Sequence, residues 1–223
     1  MQFTYHEKAS EEFLTIDSDT YKYLIKARRH KIDDEIYFRN LEDKNIYLYK
    51  IIEIGRKDSR LELVSSEEKI VENSKKLHLA WCVVDPKTVE KNIASLNELG
   101  LEKITFIYCE YSQKNFKVNL EKLEKILINS SSQCGRSSII KLEVCDSLEN
   151  FLLSNQNVYL LDFSNENIEN KKNDIETLLL GCEGGFSKNE RETFSSDKIV
   201  GFNSNLILKS ETAAISAVSK III

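Results

Sequence analysis

Three of the chain's seven glycines fall within five residues. They lie in Leu178-Leu179-Leu180-Gly181-Cys182-Glu183-Gly184-Gly185-Phe186-Ser187-Lys188-Asn189-Glu190. An apolar run enters a glycine turn, and Ser187 with Glu190 three residues later forms the capping box of a following helix. Glycines at such a turn let backbone N–H groups approach a ligand closely. A ligand-binding loop is therefore the reading we take, and a plain strand-to-helix connection is its alternative. The spacing is not G-x-G-x-x-G and no Gly-Lys-Ser/Thr follows, which disfavours a nucleotide-phosphate site. A second segment, Asn203 to Ala214, breaks from an apolar run into a helix. There Ser210 and Ala213 complete no capping box, while Glu211 sits in the first turn, where its charge suits the helix dipole. By itself this segment is an ordinary helix start. The densest basic stretch holds Lys22, Lys26, Arg28, Arg29, His30 and Lys31, interleaved with Tyr21 and Tyr23. Such a pattern suits phosphates and stacked bases, or else a solvated helix face.

The elements that must position these residues divide into two regions. Residues 1–68 read as all-β: short Ile-, Tyr-, Leu- and Val-rich runs at 36–38, 46–54 and 61–64, with turn residues at 40–45 and 55–59. A short helix over 19–27, capped by Ser18 or Asp19, interrupts them. Residues 65–76 are polar without apolar period, and 69–76 is taken as the linker. Residues 77–223 alternate strand and helix. Strands are expected at 77–84, 104–109, 157–162, 177–180 and 198–201. Asp85 caps a helix whose first residue is Pro86 and which ends at Gly100. Further helices are expected over 120–134, stopped by Gly135, from Ser187 onward, and over 210–222. Alternation of this kind predicts an α/β domain with a mostly parallel sheet covered by helices, and ligands bind such sheets at the carboxyl ends of their strands.

Composition limits the alternatives. The chain of 223 residues is 41% apolar and 30% charged, with one proline and a net charge of −5, which is a folded protein rather than a disordered one. The acidic balance argues against non-specific coating of nucleic acid, though not against a local basic face. No stretch approaches the roughly 20 apolar residues of a membrane span. Around His6, Glu7 and Lys8 no apolar run occurs, so no signal peptide is expected and the protein should be cytoplasmic. Cys82, Cys109, Cys134, Cys145 and Cys182 are scattered, without a C-x-x-C pair, and read as reduced thiols. With His6, His30 and His78 far apart as well, no zinc spacing can be built and no metal is expected.

Taken together, the two C-terminal segments resemble the RsmE-type 16S rRNA (uracil-N3)-methyltransferases of the SPOUT class. The family's G-P-E-G-G-F-S-x-x-E is seen as Gly181 to Glu190, with Cys182 in place of proline. Its I-L-R-x-E-T-A is seen as Ile207 to Ala213, with Lys209 in place of arginine. Glu98-Leu99-Gly100-Leu101 resembles E-L-G-V, and Gln133 and Arg136 resemble E-Q-x-x-R with Ser132 replacing glutamate. Arg29 and Asp34-Glu35 fall where the family's N-terminal domain shows an arginine and G-D-E. The resemblance spans nearly the whole chain and is strong after residue 178.

The resemblance implies a small PUA-like β-barrel over 1–68 and a SPOUT domain over 77–223 with a C-terminal trefoil knot. It implies a homodimer with the knot regions facing each other, and 16S rRNA, within the small ribosomal subunit, as substrate. S-adenosylmethionine would be held by the loop after Leu161, by Gly181, Cys182, Glu183, Gly184 and Gly185, and by Asn203, Leu206, Leu208 and Thr212. RNA would be bound by Lys22, Lys26, Arg28, Arg29, Lys31, Arg136 and Lys209. Because the N3–H of uracil is a weak acid, its proton must be removed or the imide anion stabilised. Glu183 and Glu211 are the candidate proton acceptors and Arg136 the candidate anion stabiliser. Glu211 can equally be a structural carboxylate, and Arg136 a phosphate ligand. Lys209 keeps the charge of arginine and loses its planar fork. Cys182 loses the fixed φ of proline. Another SPOUT enzyme, acting on tRNA or on a ribose 2′-hydroxyl, and an RNA-binding module without cofactor are the competing expectations.

Overall fold

The computed structural model describes residues 1–223 and resolves two compact units, 1–72 with 131–138, and 73–130 with 139–223. The first unit holds a five-stranded mixed sheet in the order β1-β3-β4-β5-β2. Its strands are β1 (Thr4–Tyr5), β2 (Phe13–Ile16), β3 (Glu35–Arg39), β4 (Asn45–Ile54) and β5 (Ser59–Glu68). The sheet is the body of the expected PUA-like domain, and no ladder joins β1 to β2. Alternation builds its core: Tyr47, Tyr49 and Ile51 of β4 turn inward with Phe38, Leu14 and Leu61. The hairpin of β4 and β5 keeps its ladder as far as Asn45 opposite Glu68. The polar stretch 65–68, expected to lie beyond the last strand, is thus paired backbone. Main-chain bonding to a neighbour needs no apolar side chains, which is why periodicity missed it.

A helix, α1 (Ser18–Tyr21), runs into a π-helical turn over Lys22–Ala27. Its N-cap is Asp17, without a side-chain bond, rather than Ser18 or Asp19. Tyr21 is buried and its hydroxyl donates to the Gly55 carbonyl at 2.9 Å.

The second unit holds a six-stranded, wholly parallel sheet in the order β11-β9-β10-β6-β7-β8. The strands are β6 (His78–Cys82), β7 (Lys103–Ile107), β8 (Lys141–Cys145), β9 (Val158–Leu161), β10 (Thr177–Leu180) and β11 (Ile199–Val200). The helices are α2 (Pro86–Glu98), α3 (Leu120–Cys134), α4 (Leu148–Ser154), α5 (Ile168–Lys171), α6 (Lys188–Glu192) and α7 (Ser210–Ile222). Asp85 accepts from the Lys87 N–H at 2.9 Å with Pro86 at the first helical position, as the sequence predicts. Gly100 and Gly135 end their helices with φ of +85° and +83°. Every residue of β9 is buried, and β6 and β10 are buried apart from their first residue, as expected for parallel strands covered on both faces. Trp81 and Phe106 stack at the centre of this core, 6.3 Å apart. β8, α4 and α5 have no counterpart in the sequence reading: the first is an edge strand with exposed positions and the helices span two turns or fewer.

Candidate functional site

A cavity of about 600 Å³ opens at the carboxyl ends of β9 and β10. Three segments wall it: 161–165, 180–186 and the stretch from Phe202 to Ala213. The middle segment is the glycine turn. It closes tightly, the Gly185 N–H donating to the Cys182 carbonyl at 3.0 Å. Gly185 adopts φ +69°, a conformation costly for any residue with a Cβ. Burial pushes the Cys182 thiol up from its ordinary pKa, so at neutral pH this position presents an uncharged sulfur to the site.

Helix α6 braces the loops around the cavity. Ser187 and Glu190 form the anticipated capping box, Ser187 Oγ accepting from the Glu190 N–H at 3.2 Å and Glu190 Oε2 from the Ser187 N–H at 3.0 Å. The other oxygen, Glu190 Oε1, accepts from the Glu110 N–H at 2.8 Å. Arg191 pairs with Asp162 and donates to the Phe163 carbonyl at 2.9 Å. A five-residue helix thereby ties the glycine turn to the loops after β7 and β9.

Helix α7 closes the third side. Ser210 is buried and does not cap its helix. Its hydroxyl accepts from Trp81 Nε1 at 2.8 Å and donates to the Gly181 carbonyl at 2.6 Å. Gly201 lies under the first loop: a Cβ there would come within 2.8–2.9 Å of Asp162 O, Ser164 O and Ser164 N. The Gly201 N–H donates to Glu166 O at 2.8 Å, and its own carbonyl accepts from Ile168 N at 2.9 Å. Trp81, Ser210, Arg191 and Gly201 are site-forming residues to which the sequence reading assigned no role in the site. Their contacts join positions far apart in the chain, and no local pattern marks them.

Of the sequence-derived cofactor residues, Leu161, Gly181, Cys182, Glu183, Gly184, Gly185, Leu206 and Leu208 line the cavity. Asn203 and Thr212 do not; Phe202, Ser204, Ser210 and Ala213 line it instead. The cause is register, since the first turn of α7 turns Ser210 and Ala213 inward and leaves Thr212 exposed. Of the two candidate proton acceptors, exposed Glu183 lines the cavity and half-buried Glu211 does not. Lys209 is exposed. Arg136 belongs to the first unit, is 5% exposed, and donates through Nε to Ser138 Oγ at 3.2 Å.

The basic segment keeps its cations at the surface of the first unit. Lys22 pairs with Asp19 at 3.0 Å, and Arg28 donates to the Tyr23 hydroxyl at 2.9 Å while lying over its ring. Arg29, with φ +62°, and Lys31 are exposed. Tyr21 is removed from the set of stacking residues, because both its ring and its hydroxyl are spent inside the fold.

The cysteines depart from expectation in one respect. Cys82 and Cys109 form a disulfide, with Cα atoms 5.7 Å apart, while Cys134, Cys145 and Cys182 are free. β6 and β7 are parallel neighbours with Cys82 opposite Ile107, so Cys109, just beyond the strand, falls within bridging distance. A separation of 27 residues hid this in the sequence.

A parallel α/β sheet with a glycine turn at its carboxyl edge, in a chain that also carries a small mixed β-sheet, defines a two-domain protein with a ligand cavity in its second domain. The family models describe both parts: an RNA methyltransferase domain matches residues 71–222 and an RNA methyltransferase PUA domain matches 16–64. The ribosomal RNA small subunit methyltransferase E of Helicobacter pylori is 37% identical over 222 residues, 98% of each chain. A Legionella pneumophila protein solved with bound cofactor SAM shares the fold, with TM-score 0.78 and 23% identity over 99% of this chain and 95% of that one. The ribosomal RNA small subunit methyltransferase E of Neisseria gonorrhoeae, solved bound to S-adenosyl methionine, has TM-score 0.73 and 15% identity over 98% and 95%. The chain belongs to the RsmE-type RNA methyltransferase family.

Proposed function

We propose that the protein transfers a methyl group from S-adenosylmethionine to N3 of one uridine in the 16S rRNA of the small ribosomal subunit. The observation that carries this is the cavity at the glycine turn, with Glu183 on its wall. The lining suits the cofactor: Leu161, Leu206 and Leu208 offer apolar faces to a purine, and the turn's backbone groups offer hydrogen bonds. A carboxylate at Glu183 complements positive charge. S-adenosylmethionine supplies an electrophilic methyl on a sulfonium. The protein's own part is to seat the uracil edge in line with that methyl and to take up the N3 proton, which we assign to the Glu183 carboxylate in preference to Glu211 because only Glu183 faces the cavity. Buried Arg136 takes the role of holding structure or phosphate.

On the same reading, 1–68 is the RNA-binding domain, 69–76 the linker and 77–223 the catalytic domain. Lys22, Lys26, Arg28, Arg29, Lys31 and Lys209 contact phosphate, which makes binding salt-sensitive. The C-terminal segment is read as a trefoil knot, a reading supported by the close approach of the 162–164 backbone to Gly201. The enzyme acts as a cytoplasmic homodimer; Phe163, Leu206 and Ile207, exposed at 70%, 76% and 82% on the cavity rim, are the apolar surface a second copy would cover. No helix is long and apolar enough to cross a membrane.

The test is incubation with labelled S-adenosylmethionine and small subunits from a strain lacking the gene, followed by digestion to nucleosides. Label in N3-methyluridine is expected. Label in a 2′-O-methyl nucleoside, or no transfer at all, overturns the proposal.

A further inference from the structure

The loop between β7 and α3 takes no part in lining the cavity, yet it presents an aromatic ring beside it. Tyr111 is 52% exposed. A Cβ on Gly184, which lines the cavity next to Glu183, would lie 3.1 Å from Tyr111 Cβ and 3.4 Å from Cδ2. The side chain therefore stands against the glycine turn, at the rim where the substrate must enter.

This loop is held on several sides. Cys109 is tied to Cys82 by the disulfide, and Ser112 Oγ accepts from the Cys109 N–H at 3.2 Å. The Glu110 N–H is fixed to Glu190 Oε1, and the Tyr108 hydroxyl donates to Phe116 O at 2.8 Å. A ring on a pre-ordered frame gives up little entropy when something stacks on it. Lys114 and Lys117 are exposed in the same loop, which suits a polyanion.

The chemistry of the reaction requires such a surface. N3 lies on the pairing edge of uracil, so the target base must leave its stack and its pair before it can react. Splayed bases in RNA are held by stacking on aromatic side chains.

We infer that Tyr111 is the stacking platform for the target base, with Lys114 and Lys117 binding the flanking phosphates. This rests on the proposed uridine substrate. The test compares wild type, Tyr111→Ala and Tyr111→Phe as full chains, with small subunits lacking the modification. Methyl transfer, S-adenosylmethionine affinity by calorimetry and oligomeric state by sedimentation are measured for each. Tyr111→Ala should lower kcat/KM for the subunit by roughly ten-fold or more, the range expected for one lost base–aromatic stack. Tyr111→Phe should stay near wild type, and cofactor affinity and oligomeric state should be unchanged in both. Equal rates for Tyr111→Ala and wild type would overturn the inference and leave the substrate reading intact. Weaker cofactor binding, or a changed oligomeric state, would also overturn it by making Tyr111 a support for the turn or a contact between copies. A wild type that methylates no uridine would remove both proposals.

Discussion

Glu183 and Glu211 are alike in sequence and differ in placement. Glu183 is carried on a turn that faces the cavity, while Glu211 begins a helix and stands outside it. Glu183→Gln should lower the rate constant for methyl transfer by roughly 10²–10⁴-fold, the usual loss when a positioned proton acceptor is removed. Calorimetry should still find the cofactor bound. Glu211→Gln should cost far less, and the reverse order in single-turnover measurements would transfer the role to Glu211. His78 offers a second test at this scale. Its ring is largely buried beside Phe151, with Nε2 2.8 Å from Thr105 Oγ1, and burial, reinforced by the Lys103 charge, lowers its pKa from 6.5 to about 4. The neutral ring is thus required by the fold. Its contribution to stability is complete above about pH 6.5 and drains as the pH falls toward 4, where the unfolded chain gains a proton that the folded chain refuses. The loss should amount to about 2–3 kcal/mol across that window. Denaturant unfolding at pH 7 and pH 4.5 should show a drop that His78→Gln reduces.

At the scale of elements, the site depends on braces that never meet the ligand. Helix α6 is short and has no buried residue, so its position is fixed by its capping box, by the Glu190–Glu110 bond and by the Arg191–Asp162 pair. Arg191→Ala should free the 162–164 loop and weaken S-adenosylmethionine binding by about ten-fold, equivalent to about 1.4 kcal/mol, while thermal unfolding changes little. An unaltered dissociation constant would show the loop to be held by other contacts. Gly201 is less forgiving, since its would-be Cβ meets only backbone atoms, which cannot rotate aside. Gly201→Ala should destabilise the second domain by about 1–3 kcal/mol, as overpacking does, and reduce cofactor affinity with it. An unchanged denaturation midpoint would contradict the close approach of these two segments.

At the scale of the whole molecule, covalent and quaternary state are the open measurements. Thiol titration of the unfolded, unreduced protein should find three reactive cysteines, Cys134, Cys145 and Cys182, rising to five after reduction. Five before reduction would mean that Cys82 and Cys109 are free thiols, as their spacing suggested. Sedimentation should give a dimer, and charged substitutions at Leu206 and Ile207 should shift it toward monomer; a wild-type monomer would leave that apolar rim to another partner.

Much of the architecture was legible locally. Asp85-Pro86, Gly100, Gly135 and the Ser187–Glu190 pair mark helix ends through short-range hydrogen bonds and φ preferences, and these held to within a residue or two. The glycine turn was legible for the same reason, because a left-handed backbone and close approach leave their trace in residue type. What the sequence did not determine depends on contacts between distant segments. The partnership of Trp81, Ser210 and Gly181, the fit of Gly201 beneath the 162–164 loop, the pairing of Cys82 with Cys109 and the placement of Tyr111 against Gly184 arise only once parallel strands lie side by side. Which face of α7 looks into the cavity, and hence Ser210 and Ala213 rather than Thr212, was decided by packing.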